Sequence, residues 1–277
     1  MKTQNSITET SRLFLSLASL ALMLTKNNLI AQNNPEVDLH VNTEIGQCDF
    51  DISYDLTQAE WKKATKEIGN ILYLNPLSSA KPLGVKNWDL QVETTSSNVD
   101  QESGAWNNTF HHPDSTHYLS SNGRTAVPAL RFRMGLTDKF DAGIYYSSAQ
   151  PFGANYGILG FELKCAFIND TTRNWAASVR ASYVTDANIK DFNISTTGID
   201  FSVSKTFFAV VAPYAGVAMN YNHSKEVTDE VDLENENYFG VRGVIGAELK
   251  WEFVNLGYEF MIGDGYSNRA LKVGVTF

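Results

Sequence analysis

From Trp88 onward apolar and polar residues alternate with a period of two. The alternation recurs in segments of about ten residues, the length of a tilted transmembrane strand. In "NYGILGFELKCAFI", Leu159, Phe161, Leu163, Cys165 and Phe167 fall on one side, with Tyr156, Gly160, Glu162 and Lys164 on the other. "PALRFRMGL" sets Pro128, Leu130, Phe132 and Met134 against Arg131 and Arg133. "YFGVRGVIGAELKW" sets Val241, Ile245, Ala247, Leu249 and Trp251 against Arg242, Glu248 and Lys250. Such segments predict about ten antiparallel strands, at 87–96, 125–136, 140–149, 155–168, 174–185, 196–207, 210–222, 237–252, 253–263 and 267–277. An even number returns the end of the last strand to the side from which the first began.

The connections between these strands alternate in length. "TDK", "NDTTR" and the regions of Phe207 and Glu252 are tight, whereas 97–124, "PFGANY", "ANIKDFNIS" and "HSKEVTDEVDLENEN" are mostly longer. Aromatic residues of the apolar face gather at both rims. Phe140, Phe167, Trp175, Phe207, Trp251 and Phe277 mark the tight-turn end, and Tyr146, Tyr183, Tyr221 and Phe239 the loop end. Amphipathic rings favour the two interfaces of a membrane. A soluble β-sandwich also alternates but requires neither two aromatic belts nor systematically unequal connections. The prediction is an all-β, antiparallel, up-and-down transmembrane β-barrel over residues 87–277.

The two ends of the chain bear on its compartment. Leu13–Thr25, "LFLSLASLALMLT", is an apolar run too short to span a bilayer, preceded by Lys2 and Arg12 and followed by the small Ala31. Residues 1–31 therefore read as a secretory signal peptide, with no lipoprotein signal, since Cys48 lies far beyond the run. At the other end "ALKVGVTF" alternates Leu271, Val273, Val275 and Phe277 against Lys272, Gly274 and Thr276. This strand, ending in Phe277, resembles the C-terminal signature of bacterial outer-membrane β-barrel proteins. That resemblance implies residence in the outer membrane, insertion by the barrel-assembly machinery through Phe277, and outer-membrane lipid as a partner; it implies no particular activity. "LIAQ" after the apolar run resembles secreted proteins of Bacteroidota-type bacteria. "PLGVKNWDLQVETT" resembles uncharacterised small-barrel families.

Composition narrows the function. A formal charge of −9 opposes nucleic-acid binding, which demands a basic surface. Two cysteines, Cys48 and Cys165, form neither a disulfide framework nor a metal cluster, and a bridge between them is not expected. The inward positions carry Asp89, Glu93, Asp141, Glu162, Asp200, Glu248 and Glu259 against Arg131, Arg133, Lys164, Arg180, Arg242, Lys250 and Lys272. A barrel of about eight strands is just filled by side chains, whereas wide aqueous channels need about sixteen. Balanced charges in ten strands should therefore pair in a crowded lumen, where an unpaired charge is costly. The expected function is a closed structural barrel or a narrow transport channel.

Two features fall outside the strands. "YDLTQAEWKKATKEIGNILYLNP" contains a capping box, Thr57 and Glu60, ahead of a short helix with Trp61, Ala64 and Ile68 on one face. Residues 32–86 are thus expected to form a periplasmic segment under the mouth, or a plug within it. "TFHHPDSTH" places His111, His112, Asp114 and His117 in the first long loop, donors suited to zinc, copper or nickel. Their spacing matches no established zinc motif, and Pro113 with its Ser/Thr neighbours describes a solvated turn. No nucleophile and base can be placed together, so no enzyme activity and no cofactor are expected. A surface-binding protein acting through the 97–124 and 223–237 loops is the competing function.

Overall fold

The computed structural model describes residues 50, 52–100, 102–109, 120–121, 124–148 and 157–277. The signal-peptide reading over 1–31, Cys48 and the cluster of His111, His112, Asp114 and His117 lie outside the described residues. Among the described residues two helices, α1 (Gln58–Leu72) and α2 (Gly104–Asn107), accompany the strands β1 (Trp88–Asn98), β2 (Ser120–Ser121), β3 (Arg124–Gly135), β4 (Phe140–Ser148) and β5 (Gly157–Asp170). The remaining strands are β6 (Trp175–Asp186), β7 (Phe192–Lys205), β8 (Val211–Glu226), β9 (Glu236–Trp251), β10 (Val254–Gly263) and β11 (Tyr266–Thr276).

From β3 to β11 each strand pairs antiparallel with its successor, and β1 closes the circle. It pairs with β11 from Asp89↔Thr276 to Ser97↔Asn268 and with β3 from Trp88↔Met134 to Asn98↔Arg124. The two-residue β2 only flanks β3. The result is a closed antiparallel barrel of ten strands. Phe277 prolongs the β1–β11 pairing: its N–H donates to the Trp88 carbonyl at 2.8 Å, and its ring stacks on Trp88 at 4.5 Å between centroids.

The alternation sorts side chains as a membrane barrel requires. Leu130, Phe132, Ile144, Phe161, Leu163, Phe201, Val241 and Leu271 are exposed on the outside, while Asp89, Glu93, Arg131, Arg180, Glu248 and Lys272 are buried inside. A continuous apolar belt over a charged interior is stable only against lipid. None of the described helices is long and apolar enough to cross a membrane.

The tight connections, 136–139, 171–174, 206–210 and 252–253, share one end of the barrel, here the turn end. The opposite, loop end carries 187–191 and 227–235, together with a two-residue turn, Asp264–Gly265, that breaks the expected alternation of lengths. Two strands also reach further toward the loop end than the sequence pattern suggests, β7 to Phe192 and β8 to Glu226. The cause is packing: the Phe192 ring lies 5.3 Å from both Trp61 and Phe50, and buried Ile194 continues the same inward row.

Candidate functional site

The interior is occupied by the chain itself. Helix α1 begins with the expected capping box: the Glu60 N–H donates to Thr57 Oγ1 at 3.4 Å, and the Thr57 N–H donates to Glu60 Oε2 at 3.0 Å. The helix lies at the loop end, not beneath the turn-end mouth. Gln58 Nε2 donates to Glu236 Oε1 at 2.6 Å, and Lys66 Nζ lies 3.5 Å from an Asp264 carboxylate oxygen. Its apolar face, Trp61, Ala64 and Ile68, is buried against Ile52, Val184, Phe192 and Ile194. At the same rim Glu67 accepts hydrogen bonds from the Trp106 Nε1–H and the Asp100 N–H. Burial lifts its carboxyl above the usual carboxylate range, opposed by these two bonds.

Beyond α1 the chain runs down the lumen toward the turn end, and the order of its wall contacts traces the descent. Tyr73 donates its hydroxyl to Asp200 Oδ2 at 3.0 Å, and Asn75 Nδ2 donates to Thr95 Oγ1 at 2.7 Å. The Leu77 N–H reaches Glu259 Oε2 at 2.9 Å; the Ser79 N–H and hydroxyl reach Glu248 Oε2 at 3.1 and 2.8 Å. The Leu83 N–H then donates to Asp141 Oδ1 at 3.0 Å. Wall cations supply the complementary bonds. Arg131 donates to the Asn75 carbonyl at 2.9 Å, Arg180 to that of Leu74, and Lys164 to that of Lys81 at 3.0 Å. The chain leaves past Gly135, where any Cβ would sit 1.9 Å from the Gly84 carbonyl oxygen; only glycine admits the exit there.

Of the fourteen charged residues of the inward parity, all but Lys250 are buried in the interior, and most of them form one linked set. Arg131 bridges Glu93 at 2.7 Å and Glu162 at 3.4 Å, and Arg180 bridges Glu162 at 2.7 Å and Asp200 at 2.6 Å. Nearer the turn end Arg133 pairs with Asp89, Lys272 with Glu248 at 2.8 Å, and Lys164 with Asp141 at 3.0 Å. Lys250, 3.6 Å from Glu248, is the half-exposed member at the rim. Full pairing does not occur, however. Arg242 takes amide oxygens instead of a carboxylate, Asn70 Oδ1 at 2.6 Å and Asn220 Oδ1 at 2.5 Å, and its guanidinium lies over the Tyr73 ring at 4.7 Å. Glu259 accepts from the Leu77 N–H and from Tyr214 at 2.7 Å, with no cation in ion-pair range among the described residues. Asp200 is in register with Arg242 across Ala218, and Tyr73 of the lumen segment contacts both, its hydroxyl on Asp200 and its ring under the Arg242 guanidinium.

Asn70, Tyr73, Tyr214 and Asn220 are members of this interior that a count of charges overlooks. Tyr214 and Asn220 share the inward parity of β8, which was the available signal. Among the described residues no group of three or more His, Cys, Asp or Glu side chains is placed to hold a metal.

No family model matches the sequence, and no curated protein matches it. Solved structures similar in fold are outer-membrane proteins. An outer membrane channel from Pseudomonas putida F1 is 9% identical, covering 74% of this chain and 100% of its own, at a TM-score of 0.44. Ail, the attachment invasion locus protein of Yersinia pestis, is 11% identical over 70% of this chain and 99% of its own, at a TM-score of 0.29. OprG from Pseudomonas aeruginosa is 8% identical over 72% and 99%, at a TM-score of 0.31. The fold assignment rests on the chain's own geometry: ten closed antiparallel strands, apolar outside and charged inside, form a β-barrel of the outer-membrane type.

Proposed function

We propose that this protein is an outer-membrane barrel held shut by its own N-terminal segment, a rigid structural anchor at rest and not an open pore. The observation that supports this reading is the run of hydrogen bonds from the Tyr73 hydroxyl through the Leu77, Ser79 and Leu83 N–H groups, which ties the segment to wall carboxylates on opposite sides of the lumen. In this reading residues 1–31 are the signal peptide, 32–86 the plug with its leading segment, and 87–277 the barrel, with Phe277 as the insertion signal. The long loops face outward, the 137–139 turn faces the periplasm, and the inward charges hold the plug without performing a catalytic step.

A narrow transport route exists in this reading only when the plug moves. Conductance in planar bilayers is the direct test. The intact protein should show little or no steady current, and deletion of 33–84 should raise it while leaving it well below that of wide porins, because the wall charges still crowd ten strands. A large, steady current from the intact protein overturns the proposal. A surface-binding role for the long loops is compatible with a shut lumen, and an intact protein that stays silent but binds cells or matrix would favour it.

A further inference from the structure

The tight turns of the barrel differ in what they present. Asp138 and Lys139 stand exposed at the β3–β4 turn, Thr172 and Arg173 at the β5–β6 turn, and Glu252 at the β9–β10 turn. The β7–β8 turn carries Phe208 and Ala209 instead, with Phe208 93% exposed. This turn is fully formed. The Val210 N–H donates to the Phe207 carbonyl at 3.0 Å, and the Phe207 N–H donates to the Val211 carbonyl at 2.7 Å. Both central residues are left-handed, with φ of 53° at Phe208 and 59° at Ala209. Two-residue hairpin turns with this backbone are ordinarily Asn-Gly or Asp-Gly, and a phenylalanine in the left-handed region is strained. Water offsets neither that strain nor the exposure of the ring.

The turn continues a lipid-facing surface. Along the outer row of β7, Ile199, Phe201 and Val203 are exposed, followed by Lys205, whose ammonium lies 5.6 Å from the ring centroid of exposed Phe207. Trp251, 76% exposed, stands beside the turn, since Val211 pairs with Leu249 and the Lys250 N–H donates to the Val210 carbonyl at 2.8 Å. The depth agrees. Thr197, farther along the same row, pairs with Tyr183 on one side and Tyr221 on the other, both in the loop-end aromatic belt. From Thr197 to Phe207 the chain runs about 33 Å, or about 25 Å along the membrane normal at a tilt near 40°, the height of the apolar band of such barrels.

We propose that the β7–β8 turn is a lipid anchor: Phe208 seats in the headgroup–acyl boundary of the phospholipid leaflet at the turn end, flanked by Trp251 and Lys205. The turns that present Asp138 or Arg173 stay in water. Aromatic rings and lysine stems suit that boundary, where an apolar body is buried and a polar end stays wet. The patch runs without a break into the lipid-facing row of β7, so lipid is its cover and not a second protein.

Nitroxide depth measurements in phosphatidylcholine liposomes, on purified full-length protein with Cys48 and Cys165 replaced by serine, test the assignment. A label on Ala209→Cys, which keeps Phe208, should collide freely with oxygen and little with a water-soluble nickel chelate. A label on Asp138→Cys should show the reverse. Phe208→Asn removes the ring but keeps a residue suited to the left-handed turn, and it should raise nickel collision at 209 several-fold, toward the Asp138→Cys value. If Phe208→Asn does not fold, the contrast between 209 and 138 in the presence of Phe208 decides. Equal nickel access at 209 and 138, protection of 209 from both reagents, or a folded Phe208→Asn that leaves 209 immersed overturns the proposal.

Discussion

Leu163 is 48% exposed on the outer face of β5, near mid-strand, with the ion-paired Glu162 and Lys164 on either side of it facing inward. Replacing it with arginine puts a charge into lipid, and Leu163→Arg should cost roughly 2–4 kcal/mol if the position is near the midplane. Equilibrium unfolding in urea with lipid present reads this directly; stability equal to wild type would place Leu163 away from lipid. Lys205 occupies the same outer face without that cost, because it ends β7 at the turn-end rim and its ammonium lies 5.6 Å from the Phe207 ring centroid. Glu67 behaves differently. Its carboxyl titrates above the usual range in the folded protein, so ionisation there opposes folding. The penalty is absent below the unfolded pKa and grows as pH rises through the folded one. Glu67→Gln should therefore raise the melting temperature near neutral pH and change it little in acid, a difference that a pair of thermal scans resolves.

Strands and plug were unequally legible from sequence. A strand half in lipid and half in a charged lumen must alternate residue by residue, so the period of two marked all ten strands and the inward parity of their charges. The stretch "YLNPLSSAKPLGVKN" has no period, and its grip on the wall comes chiefly from backbone groups, which every residue type carries; the capping box announced α1 but not its location. Pairing across the lumen was equally hidden, because it depends on neighbours that are not adjacent strands. Glu162 of β5 reaches Arg131 of β3 past β4, at 3.4 Å, and its own neighbour on β4 is Gly143, which stands between Glu162 and Arg133. A Cβ at 143 would lie 2.8 Å from Glu162 Oε1 and 2.9 Å from Arg133 Cγ. Glu162 joins the two arginine arms of the network, so Glu162→Gln should leave Arg131 and Arg180 each short of one carboxylate. Breaking one partner of a buried pair costs about 3–5 kcal/mol, and the loss should show in urea unfolding. A change under about 1 kcal/mol, the range of exposed pairs, would mean that the lumen is better hydrated than its burial indicates.

At the scale of the whole molecule the described chain crosses the barrel wall-to-wall more often than its strands alone require. Phe50 and residues 52–57 lie at the loop end, with Tyr54 77% exposed, and the exit turn at Gly84 lies at the turn end beside Gly135. One passage through the lumen followed by ten strands brings Phe277 to the turn end, so Phe50 and Phe277 stand on opposite sides of the membrane. An N-terminal segment parked beneath the periplasmic mouth would put them on the same side, which makes the threading testable. In a background with Cys48 and Cys165 replaced by serine, single cysteines at Tyr54, Asn235 and Asp138 report on the first residues, the last long loop and the first tight turn. A membrane-impermeant maleimide applied to intact cells should label Tyr54→Cys and Asn235→Cys, and should reach Asp138→Cys only after the outer membrane is permeabilised. If Tyr54→Cys is protected together with Asp138→Cys while Asn235→Cys reacts, the lumen passage is wrong even though the barrel stands. If Asp138→Cys alone reacts, the passage survives and the orientation is reversed. The two errors leave different patterns because the position of Tyr54 is set by the threading, whereas the positions of Asn235 and Asp138 are set by the barrel.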